Sequence, residues 1–333
     1  MMKIRWGVLG GAKIAIEKVI PAMQSGTYSE VTAIASRDSS RIGSIAASLG
    51  IPKAYDSYER LLEDPDVDAV YVPLPNHLHV PWTIRAAEAG KHVLCEKPIA
   101  LNAEDARKLL EVRQRTGVVI QEAFMVKTHP QWRKVAGLIE SERIGELRAI
   151  TGFFSYFNRD PENIRNNRAF GGGAIFDIGC YPIFISRWIF GEEPIRVMAL
   201  IDEDPEMKID RLSSAILYFP SGQATFTCST QLVPHQRMQF LGTRGRIEVE
   251  IPFNIPVDTP TRIFIDDGSD LYGGNVDTIE IGSANQYTIQ GDEFSKVLLG
   301  EGSPPIPLEF SICNMTVIDA VLRSARTGNW EVP

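Results

Sequence analysis

The sequence predicts an α/β fold in two parts: an N-terminal doubly wound parallel sheet, then a C-terminal α+β domain with a large, mostly antiparallel sheet. Three observations lead there. Residues 1–125 alternate short apolar runs with helix-length stretches, the order of parallel strands joined by crossover helices. Beyond them, strand-type runs follow one another across tight turns such as Pro220-Ser221-Gly222 and Gly242-Thr243-Arg244-Gly245, which favours antiparallel pairing. The length, 333 residues, corresponds to two domains at roughly 150 residues each. The boundary is expected at 125/126, with 1–125 binding a nucleotide cofactor and 126–333 binding substrate and mediating oligomerisation.

The first strand is expected at 4–9, ending in Gly10-Gly11, with a helix from Ala12. A second strand at 31–35 precedes a helix at 39–49. A third at 69–72 is closed by Pro73-Leu74-Pro75-Asn76, and its helix runs to about Ala89 and stops at Gly90. The fourth strand is 92–95; Asn102 and Asp105, three apart, then form a capping arrangement for a helix that ends near Gly117. The fifth is 118–121. In the second part a helix starts at Pro130, since proline suits the first helical position. Strands follow at 147–157, 195–201, 213–219, 223–231, 238–241 and 246–251, with helices at 174–189 and 312–325.

Composition excludes several classes. Hydrophobic residues are 44% and charged residues 23%, enough apolar surface for a core and too little charge for a disordered chain. A net charge of −8 gives no general reason to bind nucleic acid, although a local basic pocket for one phosphate remains open. The N-terminus lacks the apolar core of a signal peptide, and the most apolar helix candidate, 175–190, contains Asp177 and Arg187, so no membrane partner is expected. Cys95, Cys180, Cys228 and Cys313 are far apart, which suits reduced, mostly buried thiols in a cytoplasmic protein. No H-E-x-x-H, Walker-type G-x-x-x-x-G-K-[ST] or G-x-S-x-G occurs, so no metal site, P-loop or nucleophile elbow is expected.

Gly10-Gly11-Ala12-Lys13-Ile14, between the first strand and first helix, stands where a Rossmann fold puts its phosphate loop. Read as G-x-G-x-x-G/A it gives Gly10, Ala12 and Ala15, with alanine in place of the middle glycine. Backbone N–H groups at the helix start would hold a pyrophosphate. The end of the second strand selects the cofactor. NAD enzymes usually carry an acid there for the ribose hydroxyls. This chain has Ser36-Arg37-Asp38, with Arg41 one turn later. Ser36 and Arg37 suit a 2′-phosphate, which points to NADP. The other reading leaves Asp38 as the ribose acceptor and keeps NAD possible.

Two constellations carry the chemistry. Glu96-Lys97-Pro98 follows the fourth strand, at the strand ends where ligands of doubly wound sheets bind. Gly171-Gly172-Gly173 precedes Asp177 and Tyr181, whose spacing of four puts them on one helix face. The glycines would admit a planar ligand.

With Gly7-Val8-Leu9-Gly10, Asp68-Ala69-Val70-Tyr71-Val72, Pro75-Asn76-x-x-His79, Ala89-Gly90-Lys91-His92-Val93-Leu94-Cys95-Glu96-Lys97-Pro98 and Asp177-Ile178-Gly179-x-Tyr181, the chain resembles the Gfo/Idh/MocA oxidoreductases over essentially its whole length. It looks most like the branch of dimeric dihydrodiol dehydrogenases and NADP-linked sugar ketoreductases, which also carry Tyr at the Tyr181 position. The resemblance implies hydride transfer between a nicotinamide and a carbonyl or hydroxyl carbon of a sugar, polyol or cyclic diol. It implies that Lys97 bonds the reacting oxygen, that Tyr181 is the proton donor in reduction, and that Asp177 orients substrate or a neighbouring group. It sets Leu74, Pro75, Asn76 and His79 beside the nicotinamide ribose and Glu96 at the cofactor. Arg165 and Arg168 stand near the family's usual Trp-Arg segment, without its Trp, as further cofactor contacts. It implies a homodimer or higher oligomer through the C-terminal sheet.

The chemistry is coherent by itself. An alkoxide developing on a reduced carbonyl needs a proton. A phenol ordinarily titrates near 10, and an ammonium beside it lowers that value. Lys97 comes from the first domain and Tyr181 from the second, so the site is expected in a cleft. Two rival functions carry the same fold: an enzyme that recycles a tightly bound nicotinamide, and a catalytically inactive nicotinamide sensor or corepressor.

Overall fold

In the computed structural model, which describes residues 2–270 and 272–333, two compact units form: residues 1–128 with 285–312, and residues 129–284 with 313–333. The first unit contains six strands, β1 (Ile4–Leu9), β2 (Ser29–Ala35), β3 (Lys53–Tyr55), β4 (Ala69–Val72), β5 (His92–Cys95) and β6 (Ile120–Glu122), in the order β3-β2-β1-β4-β5-β6. Every pairing is parallel. The order reverses between β1 and β4, and that switch point is where a doubly wound sheet opens to ligands. The strands are apolar on both faces because helices cover both, as for Ala69–Val72, buried at all four positions.

The helices of this unit are α1 (Ile20–Gln24), α2 (Ser39–Leu49), α3 (Tyr58–Leu62), α4 (His79–Glu88) and α5 (Ala103–Thr116). The Asn102 side chain accepts from the Asp105 N–H, and Gly117 ends α5 at a φ of 72°, so the cap and stop read from the sequence are both present. The turn Ala15–Val19 before α1 is π-helical rather than α-helical. The short β3 and α3 were not anticipated.

The second unit contains α6 (Pro130–Glu140), β7 (Leu147–Phe157), α7 (Cys180–Phe190), β8 (Arg196–Glu203), β9 (Asp210–Tyr218), β10 (Gln223–Ser229), β11 (Gln231–Gly242), β12 (Arg246–Val249), β13 (Thr261–Asp266) and β14 (Val276–Ile281). The eight strands run β14-β13-β12-β11-β7-β10-β9-β8, antiparallel except for β10 beside β7. Residues 168–190 are long and apolar enough to cross a membrane by composition, but most of this stretch is buried within the protein, and only Cys180–Phe190 of it is α-helical.

The boundary departs from the expected one. Helix α8 (Gln286–Leu298) returns to the first unit, and the division then falls inside α9 (Leu308–Thr327). The cause is Trp6. Its ring lies 5.5 Å from that of Phe294, and its Nε1–H donates to Ser295 Oγ at 3.2 Å. Asp292 adds a carboxylate that accepts from the Thr27 and Tyr28 N–H groups, both at 2.9 Å. The two faces of the eight-stranded sheet differ in character. Ala215, Leu217, Ala224 and Phe226 are the buried alternation, whereas the other face presents Ile216 and Tyr218 among Thr225, Thr227, Thr151 and Gln239.

Candidate active site

In the first unit the expected cofactor residues gather at the carboxyl ends of the strands. Gly10 follows β1, Ser36 follows β2, Leu74 closes the loop after β4, and Glu96 and Lys97 follow β5. Gly10 has a φ of 109°, and a Cβ there would lie 3.0 Å from Leu74 Cδ2, so both conformation and space call for glycine. Gly11, Ala12, Lys13 and Ile14 continue the loop; Lys13 is exposed and pairs with Glu17 at 3.9 Å. A Cβ on Gly11 would meet Ile45 Cδ1 at 3.5 Å, ordinary contact.

The end of β2 resolves the role of Asp38. Its carboxylate caps α2, accepting from Ser40 N at 3.2 Å and from Ser40 Oγ at 2.5 Å. That bond to Ser40 holds the carboxyl below its usual range. Asp38 is thus committed to its helix, while Arg37 and Arg41 are exposed and Ser36 is half-buried. This donor set fits a 2′-phosphate better than two ribose hydroxyls.

Around Lys97 the loops are tied together from beneath. His79, expected beside the ribose, is fully buried; its Nδ1 lies 2.7 Å from the Pro98 carbonyl oxygen and its Nε2 2.7 Å from that of Leu74. Burial holds the ring down to about 4. His79 therefore lies buried between the Leu74-Pro75-Asn76 loop and the Lys97-Pro98 loop, its neutral ring able to donate to one of the two carbonyls at a time. Glu96 accepts from the Tyr71 hydroxyl at 2.6 Å and from the Lys97 N–H at 3.2 Å. Burial, with Glu96 beside it, pushes the Tyr71 phenol well above its usual value. Lys97 itself is half-buried.

In the second unit Asp177 lies in a π-helical turn, Ile175–Gly179, that runs directly into α7. Such turns recur at functional sites because the wider turn re-aims one side chain. Both Asp177 oxygens are engaged: Oδ2 accepts from the Tyr156 hydroxyl at 2.5 Å and Oδ1 from Arg165 Nε at 3.0 Å. Burial and the adjacent carboxylate hold the Tyr156 phenol far above its usual value. Tyr181, 5% exposed, packs edge-on against Phe154 at 6.0 Å and against Phe253 at 5.3 Å. Arg165, expected at the cofactor, is placed on Asp177; Arg168 is exposed at the start of the turn Arg168–Phe170.

Gly172 and Gly173 are required by the protein's own packing. A Cβ on Gly172 would collide with the Arg165 carbonyl, and one on Gly173, whose φ is 118°, would collide with Asp210 Oδ1. Asp210, absent from the sequence reading, accepts from the Ile175 N–H at 2.7 Å and from Ser213 Oγ at 3.0 Å. No local signal marks it, because it stands on β9, far along the chain from the helix it holds. The pairing of Tyr156 with Asp177 spans 21 positions, beyond the reach of any local pattern. Among the described residues, no group of three His, Cys, Asp or Glu is placed to hold a metal ion.

Comparison with known proteins adds two family matches. Residues 4–124 match the GFO_IDH_MocA description, "Oxidoreductase family, NAD-binding Rossmann fold", and residues 132–248 match the GFO/IDH/MocA C-terminal domain. The chain is 49% identical to an uncharacterized oxidoreductase of Rhizobium meliloti, over 98% of each chain. It is 36% identical to a D-xylose 1-dehydrogenase (NADP(+)) of Haloferax volcanii, over 97% of this chain and 98% of that one. A crystal structure of a 3-ketoreductase from Actinomadura kijaniata in complex with NADP and TDP-benzene superposes with a TM-score of 0.90 at 31% identity, covering 97% of this chain and 98% of that one.

Proposed function

The chain belongs to the GFO/IDH/MocA oxidoreductases, and from that premise we propose that it is an NADP-dependent dehydrogenase or reductase interconverting a carbonyl and a hydroxyl on a sugar, polyol or cyclic diol. The observation that carries this reading is the match of both halves of the chain to that family, and it is supported within each unit: Lys97 is held after β5 by Glu96 and His79, and Tyr181 follows one turn beyond a fully engaged Asp177. The related xylose dehydrogenase and ketoreductase, with their sugar-type substrates, support the substrate class.

The nicotinamide, when bound, supplies or takes the hydride. The protein's own work is at the oxygen. The Lys97 ammonium donates to it and favours the negative charge that develops there. The Tyr181 hydroxyl delivers the proton in reduction and takes it back in oxidation. Asp177, its charge offset by Arg165 and its second oxygen bonded by Tyr156, keeps the turn before Tyr181 in place. Gly10 to Ile14 would bind the pyrophosphate through backbone N–H groups, and Ser36 and Arg37 the 2′-phosphate.

We further propose a homodimer through the open face of the eight-stranded sheet, and a cytoplasmic location suited to four unbridged cysteines. The test of the activity is a panel of aldoses, ketosugars, inositols and trans-dihydrodiols, followed by NADPH oxidation and NADP reduction. Turnover on at least one sugar or diol is expected. A panel without turnover, from protein that still binds NADPH, would favour the sensor reading.

A further inference from the structure

The turn that leads into Tyr181 has no cap of its own. Ala174, the residue before Ile175–Gly179, carries no side chain that could accept the first N–H. Ile175 is fully buried, so its N–H would be an unsatisfied donor without a partner from elsewhere. That partner stands 35 positions away: Asp210, the first residue of β9, accepts it on Oδ2 at 2.7 Å. The same oxygen accepts from Ser213 Oγ at 3.0 Å, on the same strand, so the carboxyl is tied to β9 as well as to the turn. β9 is paired with β10 along one edge and with β8 along the other. The second oxygen, Oδ1, faces Gly173, where any Cβ would overlap it. From Gly173 the contacts run on to the site. Its N–H donates to the Arg165 carbonyl at 2.9 Å, and its carbonyl accepts the Asp177 N–H at 3.1 Å. Arg165 closes the circuit through Nε on Asp177 Oδ1.

We propose that Asp210 is a positioning residue for the proton transfer at Tyr181: from β9 its carboxyl fixes the start of the turn, and with it the reach of the Tyr181 hydroxyl further along the same helix. A cap supplied by the neighbouring residue stops a helix end from fraying. A cap supplied by a strand does more, because it ties the helix to the sheet. The Tyr181 ring is held sideways by Phe154 and Phe253. Contacts between rings are non-directional enough to tolerate sliding along the helix axis, whereas a hydrogen bond weakens steeply with distance and angle. The bond at Ile175 therefore sets the axial position that the rings leave open. That position matters to the chemistry. A proton donor must stand within hydrogen-bond reach of the developing alkoxide, and a misplacement of about 1 Å costs about a hundredfold in rate. Supports built on strands hold a site more closely than supports built on loops. The inference rests on the reading of Tyr181 as the proton donor, and the experiment separates the two.

Single-turnover hydride transfer and NADPH affinity are measured for the wild type, Asp210→Ala, Asp210→Asn, Tyr181→Phe and the double variant of Asp210→Ala with Tyr181→Phe, on a sugar or diol that the wild type turns over. Each rate is taken below that variant's own melting temperature and scaled to its NADPH-binding sites, so that lost folded protein does not count as lost rate. Asp210→Ala should slow transfer about 10- to 100-fold, with the Kd for NADPH within a few-fold of wild type. Asp210→Asn keeps an acceptor oxygen for the Ile175 N–H and should bring the rate back to within a few-fold of wild type. In the Tyr181→Phe background Asp210→Ala should add little, because the group it positions is gone. Where Asp210→Ala does not fold, Asp210→Leu, which fills the same space without an acceptor, is read in its place. A wild-type rate in the folded Ala or Leu variant would overturn the inference, as would an Asn variant as slow as Ala or full additivity with Tyr181→Phe. Near-normal transfer in Tyr181→Phe, or a wild type that turns over no sugar or diol, would overturn the reading of the site first and this inference with it.

Discussion

Removing the hydroxyl of Tyr181 leaves its ring packed on Phe154 and Phe253, so Tyr181→Phe isolates the proton. Its single-turnover hydride transfer should fall about 10²–10⁴-fold, with NADPH affinity within a few-fold of wild type. Lys97→Met keeps a similar length and removes the charge, with the same pattern expected; combined, the two losses should not multiply if the groups act on one oxygen. Near-normal transfer in Tyr181→Phe would move the donor to another group. At this scale the sequence was informative about identity and poor about partnership. The spacing of Asp177 and Tyr181 is local, and the family resemblance singled out Lys97. That Arg165 serves Asp177, and that His79 ties two loops from beneath, depends on folds of the chain that no periodicity records.

The helix that carries Asp177 and Tyr181 starts on a buried acid. Burial raises the Asp210 carboxyl from 3.8 to about 7. A group that holds its proton more tightly when folded gives stability that is fully present below about pH 4 and is lost as pH rises through about 7. Asp210→Asn mimics the protonated acid. Its melting temperature minus that of wild type should therefore increase between pH 4 and pH 8, windows set by the same carboxyl. Reading the difference matters because His79 and His129, both held down to about 4 by burial, tilt both curves the other way. A flat difference would show that Asp210 is not protonated in the folded state near neutral pH. Gly173→Ala should destabilise the same element by about 1–3 kcal/mol in thermal unfolding, since it combines a positive φ with a collision. Elements with clear caps were legible in the sequence, as at Asn102 and Pro130. Helix α8 was not, because Gly291 interrupts its pattern. A Cβ at Gly291 would lie 3.0 Å from Met23 Cγ, so the helix needs glycine there to approach α1 closely.

For the whole molecule, light scattering should give twice the chain mass of 37.0 kDa at micromolar concentration, and Ile216→Arg on the open sheet face should reduce it to the single chain. A wild type of single-chain mass would remove the dimer. The open face is mixed, with Leu200, Ile216 and Tyr218 among threonines and glutamine. Ala215, Leu217, Ala224 and Phe226 belong to the buried alternation, and a period-two pattern does not say which of its faces is covered. The two-unit organisation was legible, but not the return of residues 285–312 to the first unit. That return has a consequence for biosynthesis. The last strand of the parallel sheet ends at Glu122, yet the indole of Trp6 is covered by Phe294 and Ser295. At roughly 5–20 residues per second, a ribosome needs about 10–35 s to travel from one to the other. Throughout that interval the emerging chain carries an unfinished apolar surface, and the nucleotide-binding unit is completed only after all eight strands of the other sheet have been made.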